Sequence, residues 1–181
     1  MRLLLSVLLV CVPLVVSAGP EEDRKEAQEA RQSVLAKLYA EKPGAKAEIE
    51  KSKGYAVFSS FGMNLLVVST ARGSGILRDN RSGKDIYMSM FSAGGGLGLG
   101  VKDFGIVFVF NDENAMDEFI KTGWDFSAQA DATVETNEDS EGAEAAATIV
   151  PGVEIYQVTD KGLALQATLQ GTKYWKNDDL N

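Results

Sequence analysis

The sequence predicts an α+β, mainly β fold: an antiparallel β-sandwich or barrel with an N-terminal helix and one inserted helix. Three observations carry this reading. Residues 21–40 are rich in Ala, Glu, Gln, Lys and Arg. From Gly54 onward, short apolar runs recur between turn-forming residues. A single amphipathic stretch after Asn111 interrupts those runs.

The first helix is predicted over 21–40, because Ala27, Ala30, Val34 and Leu38 fall on one stripe at helical spacing. Glu21, Glu22 and Asp23 suit the positive end of its dipole. The stripe is weak in its first half, so docking is expected through Val34, Leu35 and Leu38. Pro43 and Gly44 break the chain, and 45–51 reads as a second short helix.

Strands are expected at 55–58 and 65–68, with 61–64 as a turn between them. Another lies at 72–78, where Gly73 and Gly75 alternate, followed by a hairpin connection over 79–83. Asn80-Arg81-Ser82 also fits a glycosylation pattern, but the turn alone explains it. Strands at 86–91 and 97–101 come next, then 105–110, the most β-like stretch of the chain. Asn111 or Asp112 caps a helix with Ala115, Met116, Phe119 and Ile120 on one face, and Gly123 ends it. Residues 124–136 alternate again, 137–144 form an acidic loop, and strands at 152–158 and 163–169 close the chain.

The N-terminus reads as a cleavable signal peptide over residues 1–18. Arg2 precedes an apolar run of about 14 residues, and Val16-Ser17-Ala18 offers the small-residue pattern of a cleavage site. The run is shorter than the ~20 residues that span a bilayer, and Pro13 interrupts it. The only cysteine, Cys11, sits inside the run, so the cleavage region lacks the cysteine that lipidation needs. The expected location is periplasmic or secreted. Residues 19–44 are then an N-terminal helix and linker, and 45–181 a β-rich domain.

Composition excludes much. The chain has no histidine, which removes a Ser-His-Asp relay and His-ligated metal sites. If Cys11 leaves with the signal peptide, thiol catalysis and disulfides go as well. A two-carboxylate hydrolase is conceivable, but most acids sit at helix starts or in the acidic loop, where solvation explains them. Residues 131–141 have the acids of a calcium loop without its spacing. No enzyme activity and no cofactor are expected.

The net charge of −8 argues against nucleic acid, whose phosphates demand a basic footprint. The charge is uneven, however. Residues 24–85 carry 12 Lys/Arg against 7 Asp/Glu, whereas 102–181 carry 5 against 16. Such asymmetry can present one positive face to an anionic surface.

The glycine-rich run at 92–101 fits neither a dinucleotide nor a phosphate loop, since the third glycine and the Gly-Lys-Ser/Thr are missing. It has period two instead. Gly96, Gly98 and Gly100 share one face of a strand, opposite Leu97, Leu99 and Val101. That face admits an aromatic filler such as Trp124 or Phe126, the favoured reading, or an acyl chain or headgroup.

The succession of motifs resembles the SYLF lipid-binding domain, also found in yeast actin-patch proteins. It is carried by Ser52-Lys53-Gly54-Tyr55-Ala56-Val57-Phe58, Gly73-Ser74-Gly75-Ile76-Leu77 and the glycine strand at 94–101. Val107-Phe108-Val109-Phe110-Asn111, Ala115-Met116-Asp117-Glu118-Phe119 and Gly123-Trp124 with Phe126 continue it. Val153-Glu154-Ile155-Tyr156, Lys161-Gly162-Leu163-Ala164-Leu165 and Lys173-Tyr174-Trp175 complete it, so that it covers roughly residues 33–181.

The resemblance implies a non-enzymatic domain that binds membrane lipid, an anionic phospholipid among the candidates, through a basic surface and an adjoining helix. Cytosolic actin, a partner of yeast relatives, is not expected for an exported chain. Lys46, Lys51, Lys53, Arg72 and Arg78 are the candidate headgroup contacts, with Gly96, Gly98 and Gly100 as the candidate lipid face. The alternative is a structural or stress-related envelope protein acting through protein contacts at a sheet edge.

Overall fold

A computed structural model describes residues 19–65, 68–94, 103–126, 150–159, 162–164, 169 and 171–181. The expected signal peptide, the acidic loop and Gly96, Gly98 and Gly100 lie outside the described residues.

The chain begins with α1 (Pro20–Glu41) and α2 (Ala45–Lys51), within a residue or so of the sequence expectation. Pro20 opens α1, where its missing N–H costs nothing, and Lys42, Pro43 and Gly44 follow its end. Eight strands then form one antiparallel sheet: β1 (Gly54–Leu65), β2 (Val68–Asp79), β3 (Lys84–Gly94), β4 (Asp103–Phe110), β5 (Trp124–Asp125), β6 (Val153–Thr159), β7 (Gly162–Ala164) and β8 (Thr172–Lys176). Their spatial order is β5-β8-β3-β2-β1-β4-β6-β7. The sheet curls into a half-barrel, and α3 (Glu113–Thr122) is inserted after β4. The fold class is therefore α+β and mainly β, as the sequence predicts.

Three elements differ from expectation, the first being the strand over 65–68, since Leu65 ends β1 and pairs with Val68, which opens β2. Residues 61–64 are not a turn but the second half of β1, which pairs with β2 without a break from Gly54–Asp79 to Leu65–Val68. Ladder hydrogen bonding along this twelve-residue hairpin overrides the turn preference of Gly62 and Asn64. The strand β8 was not expected at all. It pairs with β3 from Met88–Lys176 to Ser92–Thr172.

Alternation gives the sheet two faces. The concave face holds Ala56, Phe58, Leu77, Met88, Ile106, Phe108 and Tyr174, all fully buried, with Met116 and Phe119 of α3 closing it. Phe119 lies 4.5 Å from Trp124 and Phe58 lies 4.8 Å from Tyr174, ring centre to ring centre. Aromatic pairs at such distances contribute about 0.5–1.5 kcal/mol each beyond their burial. The Asp112 side chain accepts from Ala115 N at 2.8 Å, and Gly123 at φ 68° ends the helix; both were legible in the sequence.

The other face holds Val57, Val107, Val109, Tyr156 and Val158, covered by Val34 and Leu38 of α1 and by Ile49 of α2. Gly105 lets α1 approach this closely: a Cβ there would sit 2.6 Å from both Val34 methyls. The hairpin between β2 and β3 is tied to α2, because Asn80 donates from its amide to Ile49 O at 2.8 Å and to Ser52 O at 3.2 Å. This accounts for Asn80 as a turn residue.

Candidate functional site

The first half of α1, where the apolar stripe is weak, is held by polar contacts. Arg24 Nε donates to Leu180 O at 2.9 Å. Gln28 Nε2 donates to Asp85 Oδ2 at 3.1 Å, and Arg31 Nη1 to Asp85 Oδ1 at 3.0 Å. Arg78 reaches the same oxygen at 3.1 Å. Burial pushes the Asp85 carboxyl up, but hydrogen bonds from Gln28 and Arg31 and the nearby charge outweigh it and hold the group below the ordinary carboxylate range.

A second polar cluster fixes the other end. Tyr156 donates its hydroxyl proton toward Glu48 Oε2, 2.7 Å away, while Lys42 Nζ donates to that hydroxyl at 3.1 Å and pairs with Glu48 at 3.3 Å. Burial and the carboxylates of Glu48 and Glu154 push the Tyr156 phenol well up.

The five candidate cations do not form one site. Lys46 and Lys51 project from α2, and Lys53 follows it, all exposed at one end of the sheet. Arg78 is drawn into the Asp85 cluster and is only partly exposed. Arg72 stands six residues from Arg78, about 20 Å along β2. Among the described residues, Lys46, Lys51, Lys53 and Arg72 make no ion pair.

Arg72 has aromatic company instead. Its guanidinium lies 6.0 Å from the centre of the Phe91 ring. Arg72 is opposite Phe91 on β3, and Phe91 is opposite Lys173 on β8, so the three project from one face. Trp175, two residues on, shares that face and is 37 % exposed, the one exposed large hydrophobic residue among those described. Arg72, Ser89, Phe91 and Trp175 line a shallow groove there. Lys173 is partly neutralised by Asp125 at 3.2 Å.

Sequence reasoning singled out Arg72 but not the neighbours the structure gives it, Phe91, Lys173 and Trp175. A signal existed: in Thr172-Lys173-Tyr174-Trp175-Lys176 the buried Thr172 and Tyr174 alternate with exposed Lys173 and Trp175.

Comparison with known proteins adds a family. The family model described as "Ysc84: Las17-binding protein actin regulator" matches residues 91–181. That span contains Phe91, Lys173 and Trp175, while Arg72 and α1 precede it. Beta cell expansion factor A of Aeromonas veronii is 36 % identical over 163 residues, covering 86 % of this chain and 60 % of that protein. The chain thus spans about three-fifths of the length of this curated relative.

Proposed function

Because the chain belongs to the Ysc84 family, that of SYLF domains, we propose that it is a non-enzymatic domain that binds membrane lipid after export from the cytoplasm. The observation that carries this reading is the patch formed by Arg72, Phe91 and Trp175. Indole rings favour the headgroup level of a bilayer, where one edge is wet and the other apolar. An unpaired cation near an anionic leaflet contributes about 1 kcal/mol. The patch combines both, and its neighbour Lys173 can exchange Asp125 for a lipid phosphate. The lysines of α2 form a separate basic region at the other end of the sheet.

Export, inferred from residues 1–18, would keep the domain away from cytosolic actin, whatever the family description says of other members. The sheet-edge alternative has less support. The edge strands β5 and β7 are two and three residues long among the described residues, and short edges resist strand addition. Beyond β8, Tyr87 is capped by Asn181, which accepts from its N–H at 3.0 Å and donates to its carbonyl at 2.8 Å.

Vesicle co-sedimentation of the purified protein tests the proposal. It should bind phosphatidylglycerol vesicles better than phosphatidylcholine vesicles, and less so at high salt, where exposed charges are screened within a few ångströms. Arg72→Gln should weaken binding to the anionic vesicles about fivefold, the equivalent of about 1 kcal/mol. Unchanged binding by Arg72→Gln and Trp175→Ala together would remove the patch from the mechanism.

A further inference from the structure

Beside the aromatic patch, a cleft of about 480 Å³ opens between α1 and the convex face of the sheet. Its floor is formed by Ser59, Ser74, Gly105 and Val158, and its helix wall carries Glu26, Glu29 and Ser33. The groove at Trp175 adds Ser89 to the same floor. Strand register joins the two openings. Trp175 is opposite Ser89, Ser89 opposite Ser74, Ser74 opposite Ser59, Ser59 opposite Gly105, and Gly105 opposite Val158. The result is one furrow from Trp175 to Ser59 across four strands, about 14 Å long at the usual strand spacing, and Val34 of α1 closes it at Gly105.

The chemistry of the furrow decides its ligand. Ser59, Ser74 and Ser89 are partly buried, and among the described residues their hydroxyls have no hydrogen-bond partner. They recur about every 4.8 Å, one per strand. Covering them with an acyl chain would strip each of its water and return nothing. A hydroxyl-rich ligand would instead satisfy them, with the exposed Glu26 carboxylate and Ser33 facing it from α1. At the open end, Trp175 offers a flat apolar face of the kind that stacks on the C–H face of a sugar ring, and Arg72 stands ready for an adjoining phosphate. We infer that the furrow binds a saccharide, presented as the headgroup of a glycolipid. This rests on the membrane reading above and specifies which part of the lipid the protein recognises.

The test uses phosphatidylcholine vesicles with and without glucosyl- or digalactosyl-diacylglycerol, phosphatidylglycerol vesicles, and soluble digalactosylglycerol titrated against tryptophan fluorescence. The protein should bind at least one glycolipid vesicle tenfold or more tighter than plain phosphatidylcholine. The Ser59→Ala/Ser74→Ala variant, outside the Trp175 groove, should lose that preference while keeping its binding to phosphatidylglycerol. Glu26→Gln/Glu29→Gln, at exposed positions that do not threaten the fold, should weaken it severalfold. Soluble digalactosylglycerol should shift the emission of the wild type but not of Trp175→Phe. Binding to phosphatidylglycerol with no glycolipid preference and no response to the soluble sugar would overturn the inference and leave the membrane reading intact. A response to the soluble sugar that depends on the serines, without binding to any vesicle, would overturn the membrane reading and the glycolipid with it, and leave a site for a free saccharide.

Discussion

Replacing Asp85 by Asn removes one charge from the contact that seats the first half of α1, and the cost can be worked from the geometry. Arg31, Gln28 and Arg78 donate to this carboxylate at 3.0, 3.1 and 3.1 Å. Hydrogen bonds to a charged group contribute about 1.5–3 kcal/mol and neutral ones about 1, so the two arginine contacts lose roughly 1 kcal/mol each. The side chains of Arg31 and Asp85 are 15 % and 20 % exposed, which preserves most of that value, whereas Arg78 at 38 % is more strongly screened. The expected destabilisation is about 2 kcal/mol at pH 7, or about 4–8 °C in Tm for a chain of this size. Asp85 is held below its unfolded value near 3.9, so its contribution is present above that pH and is lost as the pH falls through the folded value. The gap between wild type and Asp85→Asn should therefore close below about pH 4. Urea unfolding followed by circular dichroism across pH 3–7 reads both quantities. A gap below 0.5 kcal/mol at pH 7, or one that stays constant into acid, would refute this account of how α1 is held.

Three further substitutions probe other parts of the fold. Gly105→Val places branched carbon against Val34, 2.6 Å from where the first added atom would sit; it should cost about 1–3 kcal/mol and raise hydrogen exchange in α1 without raising it in α3. Asp112→Ala removes the side-chain acceptor of Ala115 N and should cost about 1 kcal/mol, read as a drop in the denaturation midpoint at unchanged slope. Tyr174→Phe deletes a fully buried hydroxyl that has no hydrogen-bond partner within 3.5 Å among the described residues, so thermal unfolding should show equal or higher stability, by up to about 1–3 kcal/mol; a clear loss would reveal a partner for that hydroxyl.

Local signals made most of the fold legible. Alanine-rich helical spacing, the Asp112 cap, Gly123 and the 79–83 turn each act within a few residues, and each lies where expected. The misreading at 61–64 has the opposite origin. Gly62 and Asn64 look like a turn in isolation, but pairing with Ala71 and Ser69 fixes them as strand. Of the candidate patch, the sequence singled out Arg72 alone. Phe91 and Trp175 join it through pairings of β3 with β2 and with β8, and the latter connects residues more than eighty positions apart. No periodicity in a single window reports such a meeting.

The weak amphipathicity of α1 follows from the two jobs its surface does. One stripe, Arg24, Ala27, Gln28, Arg31, Val34 and Leu38, faces the sheet, and half of it is polar because half of its partners are the Asp85 cluster and the backbone carbonyl of Leu180. A second stripe, Glu26, Glu29, Ala30, Ser33 and Lys37, walls the cleft at the same helical spacing. Apolar side chains on that stripe would collapse onto Ser59, Ser74 and Gly105 and fill the furrow. The polar residues keep it open, and they do so without contributing to the core. The seat of α1 and the wall of the cleft are thus carried by different side chains of one helix, which is why the serine and glutamate variants can test the proposed recognition while Asp85→Asn tests the seat.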